Sequence, residues 1–194
     1  GPIKNLTCGQ GGAIIPRNRA QADRARAMRL WGVAQSQAER KQTTGYQVQD
    51  HGMHSFMSAI NAAIGLVQLD RFAYLADKRA SLWRSYRDSL DPLRAVTLVD
   101  LDIERTVPFN CVIRVPERDR VFAAMRQAGI GVGVHYPPNH RQPAFHTWTR
   151  ELPVTDKIAR QIMSLPFHPA MGTSDIDTVV CALTQALASA GVAS

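Results

Sequence analysis

A single lysine near the start of the chain is the residue best placed for chemistry. Lys4 precedes the glycines Gly9, Gly11 and Gly12, which run into a short apolar segment. Glycines there let backbone or a ligand approach closely, so the pattern favours a reactive amine just ahead of a strand. It fits a loop lysine in water equally well. A lysine amine attacks a carbonyl only when uncharged, a form that burial or a neighbouring cation favours.

The cysteines and histidines indicate no metal centre or disulfide framework. Three cysteines are odd in number and widely spaced, so we expect reduced thiols. His51 and His54 have a spacing that a metal can use, but they lie among polar residues without companion ligands. We therefore expect no metal site.

The formal charge of +7 raises the question of an anionic partner. Arginines alternate with acidic residues, as in 23–26 and 117–120, which is typical of solvated helix faces, so we expect no nucleic-acid partner. A phosphorylated small molecule would also suit the surplus. No apolar run reaches membrane-spanning length and no signal-peptide pattern is present, so we expect a cytoplasmic protein with no membrane partner.

Apolar spacing predicts helices over 19–30, 57–69 and 71–90, with an irregular polar segment at 34–52. The second helix is apolar on almost every side, which predicts burial. Beyond it, strands at 111–115 and 131–135 alternate with helices after Pro116, over 154–163 and from about residue 173. We expect an α/β or α+β small domain over 70–194, after a first domain over 1–69.

Four segments together resemble one known family. Lys4-Asn5-Leu6-Thr7 with the following glycines is similar to the signature around the Schiff-base lysine of the DegT/DnrJ/EryC1/StrS family. Three more segments match in the family's order and approximate spacing: Asn61-Ala62-Ala63-Ile64-Gly65-Leu66-Val67-Gln68-Leu69, Gly131-x-Gly133-Val134-His135-Tyr136-Pro137-Pro138 and Ser164-Leu165-Pro166-Phe167-His168-Pro169. The resemblance covers nearly the whole chain. It implies an α/β fold of the fold-type I transferases that use pyridoxal 5'-phosphate (PLP), with 1–69 ending the large PLP-binding domain and 70–194 forming the small C-terminal domain.

The resemblance implies a PLP-dependent aminotransferase in which Lys4 is the catalytic and cofactor-binding lysine. Relatives that dehydrate sugars carry histidine there. The expected reaction moves an amino group from an amino acid, with glutamate as the expected donor, to a nucleotide-linked keto sugar in amino-sugar biosynthesis for surface polysaccharide or antibiotic. One alternative is a keto-cyclitol or unactivated sugar as acceptor. Another is a non-catalytic binding or assembly subunit derived from the fold.

The resemblance also implies further site residues. His54 stands where relatives carry an asparagine that reaches the cofactor phosphate across a dimer, and an imidazole can still donate to phosphate. Phe56 replaces an arginine and cannot. The alternative is that His54 is a loop residue without a ligand. Tyr46, His135 and Tyr136 are the expected substrate-binding residues.

Several family cofactor contacts precede the lysine: the acidic partner of the pyridine nitrogen, the aromatic that stacks on the ring and most of the phosphate contacts. This chain begins three residues before Lys4. We therefore expect the N-terminal half to come from a second chain or a removed segment. The complete enzyme is expected to be a homodimer.

Overall fold

The structure, a computed structural model, describes residues 4–99 and 102–192. It divides into two compact units, Gly1–Arg71 and Phe72–Ser194. The outer ends of both predicted domains lie outside the described residues. Within the described residues, no helix is both long and apolar enough to cross a membrane.

The first unit consists of three helices joined by irregular segments: α1 Arg19–Met28, α2 Gln37–Lys41 and α3 Ala59–Asp70. Each begins at a side-chain cap, with Asn18, Ser36 and Ser58 accepting a backbone N–H of the first turn. The single turn of α2 lies inside the segment predicted to be irregular. It forms because Ser36 and Glu39 cap each other's backbone, a local signal that apolar periodicity does not contain.

Helix α3 was predicted to be buried, and this prediction is wrong for the described residues. None of its residues is buried, and Ile60 and Val67 are 75% and 57% exposed. Val33 is the one large apolar side chain that the described part of the first unit buries. This part of the unit therefore lacks an apolar core against which α3 could pack.

The second unit begins with the long helix α4 Phe72–Leu90, whose buried stripe includes Leu82, Trp83, Tyr86 and Leu90. Three short strands follow, β1 Thr97–Leu98, β2 Cys111–Arg114 and β3 Ile162–Leu165, paired antiparallel in the order β1-β2-β3. Helices α5 Arg118–Gln127, α6 Pro153–Ala159 and α7 Thr173–Ser189 complete the unit, with 3-10 turns at Asn139–Arg141 and Pro143–Trp148.

Two elements of the second unit differ from the sequence expectation. The predicted strand at 131–135 is only an isolated bridge, in which Gly133 pairs with Ser164. The predicted helix over 154–163 ends at Ala159, and β3 begins three residues later. Met163, Ser164 and Leu165 are all buried, so this short apolar run pairs with β2 instead of extending the helix.

The core of the second unit lies between its sheet and three helices. Helix α7 packs against α4 and α5. Fully buried side chains from each element meet there, including Tyr86, Ile113, Met125, Met163 and Leu183. The Tyr86 hydroxyl donates to the Pro166 carbonyl oxygen at 2.8 Å and so joins α4 to the segment after β3. Burial raises the pKa of Tyr86 well above its usual value.

We expect Tyr86→Phe to lower the free energy of unfolding by about 1 to 2 kcal/mol at neutral pH, because the buried Pro166 carbonyl loses its donor. Chemical denaturation of the full chain measures this. Tyr74→Phe is the control, since Tyr74 is an exposed tyrosine on the same helix. Equal stabilities of the two variants would contradict the role of the hydrogen bond.

The same pair predicts a pH dependence. The folded state raises the pKa of Tyr86 above the ordinary 10.0. The stability that its buried hydroxyl contributes is therefore complete below pH 10.0 and is lost as the pH rises above it. The stability difference between wild type and Tyr86→Phe therefore narrows above about pH 10. A constant difference up to pH 11 would show that the hydroxyl is not buried.

Candidate active site

The loop that follows Lys4 lies against α3. The Asn61 side chain donates from Nδ2 to the Gln10 carbonyl oxygen at 3.0 Å. Near the middle of the helix, a Cβ placed on Gly65 would lie 3.3 Å from Cys8 Cβ, so loop and helix backbones approach closely. The expected burial of the Lys4 amine and the expected strand after the glycines are both wrong for the described residues, since Lys4 is exposed and residues 11–15 form no strand.

Two loop glycines are required by this packing. Gly9 has φ +77° and Gly11 has φ +151°, conformations that other residues rarely adopt. A Cβ on Gly11 would lie only 2.6 Å from Met57 Cε, whereas one on Gly9 would lie 3.4 Å from Asn61 Oδ1. The glycine pattern beside Lys4 therefore has a structural cause in the close approach of the loop to the start of α3.

His54 lies in a group of rings. Its backbone bridges to Leu30, its imidazole stacks on Trp31 with 5.2 Å between centroids, and Phe56 lies 5.5 Å away. The Arg29 guanidinium carbon lies 5.2 Å from the centroid of the Phe56 ring. Stacking fixes the plane of the imidazole, and its nitrogens remain in that plane as donors or acceptors. His54 is exposed.

The predicted site residues fall into two sets. Lys4, Tyr46 and His54 belong to the first unit, where Tyr46 is an exposed side chain in an irregular segment. His135 and Tyr136 belong to the second unit. There His135 Nδ1 lies 2.9 Å from Ser164 Oγ. The rings of His135 and Tyr136 pack edge to face, with 5.1 Å between their centroids. The backbone bridge of Gly133 to Ser164 fixes the same segment to β3.

A cavity of about 1020 Å³ in the first unit contains many arginines. Its charged lining comprises Arg19, Arg24, Arg26, Arg29 and Arg40, with Asp23, Glu39 and Asp50. Asp23 pairs with Arg19 and Arg26, and Asp50 pairs with Arg24. Within the described residues, Arg29 and Arg40 have no carboxylate partner, and the Arg40 Nε atom is buried without a hydrogen bond. Sequence analysis missed this cavity because α1 and α2 bring the arginines together only in the fold.

A second cavity, of about 600 Å³, lies beside Tyr136 in the second unit. Residues 136–155 supply its lining, which includes Phe145, Trp148 and Arg150. Aromatic rings together with a guanidinium suit a ligand that has both a planar and an anionic part.

Asp156, in the first turn of α6, holds the segment around this cavity. Its carboxylate accepts from Arg141 Nε at 3.0 Å and from Arg141 Nη2 at 2.6 Å, and it lies 3.0 Å from His140 Nε2. The hydrogen bond from Arg141, and after it the contact with His140, lowers the pKa of Asp156 to about 2. Sequence analysis missed this cluster, since Asp156 lies fifteen residues from Arg141 and sixteen from His140.

The described metal-ligating residues and the cysteines form no metal-binding cluster with each other. In the described parts of the chain, no three potential metal-ligating side chains gather to hold an ion. The three cysteines are free thiols, and burial raises the pKa of Cys111 to about 12, which makes that thiol unreactive.

Comparison with known proteins identifies the fold. The chain superposes with a TM-score of 0.83 on DesV from S. venezuelae, solved in complex with a ketimine intermediate, at 27% sequence identity over 95% of this chain and 49% of DesV. A DegT DnrJ EryC1 StrS aminotransferase from Brucella abortus gives 0.82 at 26% identity, over 95% of this chain and 48% of that one. Sugar aminotransferase CalS13 from Micromonospora echinospora shares the fold, with 0.83 at 23% identity, over 93% and 49%.

These likenesses confirm the predicted fold of PLP-dependent sugar aminotransferases, here as a partial domain with a mixed α/β structure. The chain spans about half the length of the solved structures that it matches. The sequence profile of the DegT/DnrJ/EryC1/StrS aminotransferase family, whose aminotransferases are PLP-dependent, matches residues 1–184. The chain therefore belongs to the DegT/DnrJ/EryC1/StrS aminotransferase family.

Proposed function

We propose that this chain is the C-terminal half of a PLP-dependent aminotransferase of the cytoplasm. The complete enzyme moves an amino group from an amino acid, glutamate in our proposal, to a nucleotide-linked keto sugar. The observation that carries the proposal is Lys4 at the head of a glycine loop packed on α3, in a chain that belongs to an aminotransferase family.

The residues around Lys4 fit a bound PLP. Lys4 is exposed, so an aldehyde can reach its Nζ atom, and Asn61 holds the loop behind it. His54 is exposed as well, and a ring N–H donates to phosphate oxygen. We infer that Lys4 holds the cofactor of its own subunit and that His54 contacts the cofactor phosphate of the second subunit in a homodimer.

When bound, PLP supplies an aldehyde that takes up amino groups and a ring that withdraws electrons from the neighbouring bonds. Lys4 would hold this group through its Nζ atom. The same amine would take up and return the proton that amino transfer moves. One side chain thus serves first in binding and then in proton transfer.

The arginine cavity supports a phosphorylated acceptor. Arg29 and Arg40 bring two positive charges that no carboxylate of the described residues pairs with. A guanidinium donates two parallel hydrogen bonds to a phosphate group, which a nucleotide-linked sugar provides. We assign Tyr46, His135 and Tyr136 to substrate binding.

One observation favours a second candidate acceptor, a keto-cyclitol or an unactivated sugar. Phe56 stands where relatives carry an arginine, and the ring stacks beneath Arg29 instead of binding an anion. Titration of the complete enzyme with keto substrates, with and without a nucleotide, separates the two candidates. The higher kcat/KM identifies the acceptor.

The exposed apolar surface of α3 supports a partner that completes the enzyme. Ile60, Ile64 and Val67 repeat at helical spacing and are all exposed, whereas Asn61 and Gly65 lie on the adjacent face, toward the loop. Burying such side chains stabilises an assembly by about 1.5 to 3 kcal/mol each. We propose that the N-terminal half of the enzyme, as a second chain or a removed segment, covers this surface.

We expect Lys4→Ala to abolish the visible absorbance of the bound cofactor in enzyme reconstituted with its N-terminal half. Amino transfer falls below about one thousandth of wild type, because no other group takes over proton transfer. Lys41→Ala, which removes an exposed lysine of the same unit, keeps both the visible absorbance and the amino transfer. Absorbance that persists in Lys4→Ala would contradict the assignment. Its absence from wild type would favour a non-catalytic binding or assembly subunit.

We expect Arg40→Ala to raise KM for a nucleotide-linked keto sugar about tenfold or more, since a charged hydrogen bond contributes about 1.5 to 3 kcal/mol. KM for a keto-cyclitol does not change. Arg120→Ala is the control, because Arg120 is an exposed arginine outside the cavity. Equal KM values for the two variants would remove the arginine cavity from the substrate site.

We expect Ile64→Asp to raise the Kd between this chain and the N-terminal half at least about tenfold, because a charge is buried in an apolar contact. Calorimetric titration of the two halves measures this Kd. Val154→Asp introduces the same charge at an exposed position of the second unit and binds as wild type. Unchanged binding by Ile64→Asp would show that the partner docks elsewhere.

A further inference from the structure

We infer that Asp156 is a positioning residue that fixes, through His140 and Arg141, the shape of the cavity beside Tyr136. The inference rests on the proposed function, which assigns Tyr136 to the keto-sugar substrate. Asp156 lies behind the lining of that cavity and acts on the substrate through its neighbours.

The carboxylate makes two contacts through Oδ1 and one through Oδ2. Oδ1 lies 3.0 Å from His140 Nε2 and accepts from Arg141 Nε at 3.0 Å, and Oδ2 accepts from Arg141 Nη2 at 2.6 Å. A bidentate guanidinium and carboxylate pair fixes orientation as well as distance. The Thr149 hydroxyl also donates a hydrogen bond to the His140 carbonyl oxygen at 3.0 Å.

This cluster is well enclosed for an ionic contact. The side chains of His140 and Asp156 are only 8% and 16% exposed, although that of Arg141 is 61% exposed. Weak screening by solvent makes the loss of one partner more costly than at an open surface. Replacement by asparagine keeps the shape of Asp156 and removes the charge and one acceptor oxygen.

The cluster holds residues 138–150, and within the described residues this segment has no other ion pair with α6. Its backbone hydrogen bonds are local turns, from Arg141 N to Pro138 O, Gln142 N to Asn139 O and Phe145 N to Gln142 O. Such turns keep the segment's own shape and leave its placement to side chains. Asp156 supplies that placement on the α6 side.

The other end of the segment is fixed to the sheet. His135 contacts Ser164 at 2.9 Å, and the Tyr136 ring meets the His135 ring. Between this anchor and Asp156, the chain presents the aromatic lining of the cavity, Tyr136, Phe145 and Trp148. Loss of the Asp156 anchor therefore disorders the cavity lining while Tyr136 remains attached to β3.

We expect the loss of the Asp156 anchor to weaken binding of the amino acceptor, the keto sugar. A cavity that holds the sugar substrate less well raises the KM of that substrate. Lys4 and the chemistry assigned to it lie in the other unit. We expect kcat and the KM of the donor to stay within about twofold of wild type in Asp156→Asn, and the KM of the keto sugar to rise about tenfold.

The test compares Asp156→Asn, Asp156→Glu and the control Asp177→Asn, which alters an exposed acid on α7. Hydrogen exchange on the full chain is read out alongside steady-state kinetics of the complete enzyme. In Asp156→Asn we expect amide exchange to rise about tenfold in residues 138–150 and to stay unchanged in β2 and α7. Asp156→Glu keeps both carboxylate oxygens, so its KM for the keto sugar rises less than that of Asp156→Asn. Asp177→Asn matches wild type in amide exchange and in KM.

Three results would overturn the inference. They are unchanged exchange in residues 138–150, a rise of equal size in β2 and α7, and an acceptor KM that does not move although the segment has loosened. If the wild-type enzyme transfers no amino group, the proposed function fails, and exchange alone decides the inference. A rise confined to residues 138–150 still supports the positioning by Asp156.

Discussion

The close packing of the loop after Lys4 against α3 is the constraint on which the position of Lys4 depends. Gly9 and Gly11 have positive φ values that other residues rarely adopt, and Asn61 holds the Gln10 carbonyl oxygen at the first turn of the helix. The glycines therefore set where the loop runs, and the loop sets where Lys4 lies. The backbone packing thus places Lys4 at the head of this loop, and its reaction with PLP stays a prediction.

The two units differ in how complete they are. The second unit buries Tyr86, Ile113, Met163 and Leu183 in a core of its own, between its sheet and three helices. The described part of the first unit leaves most of α3 uncovered, and the chain spans about half the length of the structures that it matches. A stable small domain joined to an uncovered apolar helix fits a chain that acts as part of a larger enzyme.

Sequence patterns predicted the elements whose signals are local. The buried stripe of α4 follows from apolar spacing, and four matching segments indicated the family and the fold. Patterns failed where partners decide the outcome, since β3 exists because β2 pairs with Met163, and α3 is exposed because nothing in the described chain covers it. The arginine cavity and the contacts of Asp156 join residues that are distant in sequence. The roles of Lys4, Tyr46, His54, His135 and Tyr136 stay predictions.

The central claim is that Lys4 carries the cofactor, and covalent mapping tests it most directly. The complete enzyme, loaded with PLP, is treated with borohydride, which fixes the cofactor to the amine that holds it. The protein is then digested, and the masses of the peptides are measured by mass spectrometry. Our account predicts the added cofactor mass on the peptide that contains Lys4. The same mass on the peptides of Lys41, Lys78 or Lys157, or on none of the peptides of this chain, would contradict it.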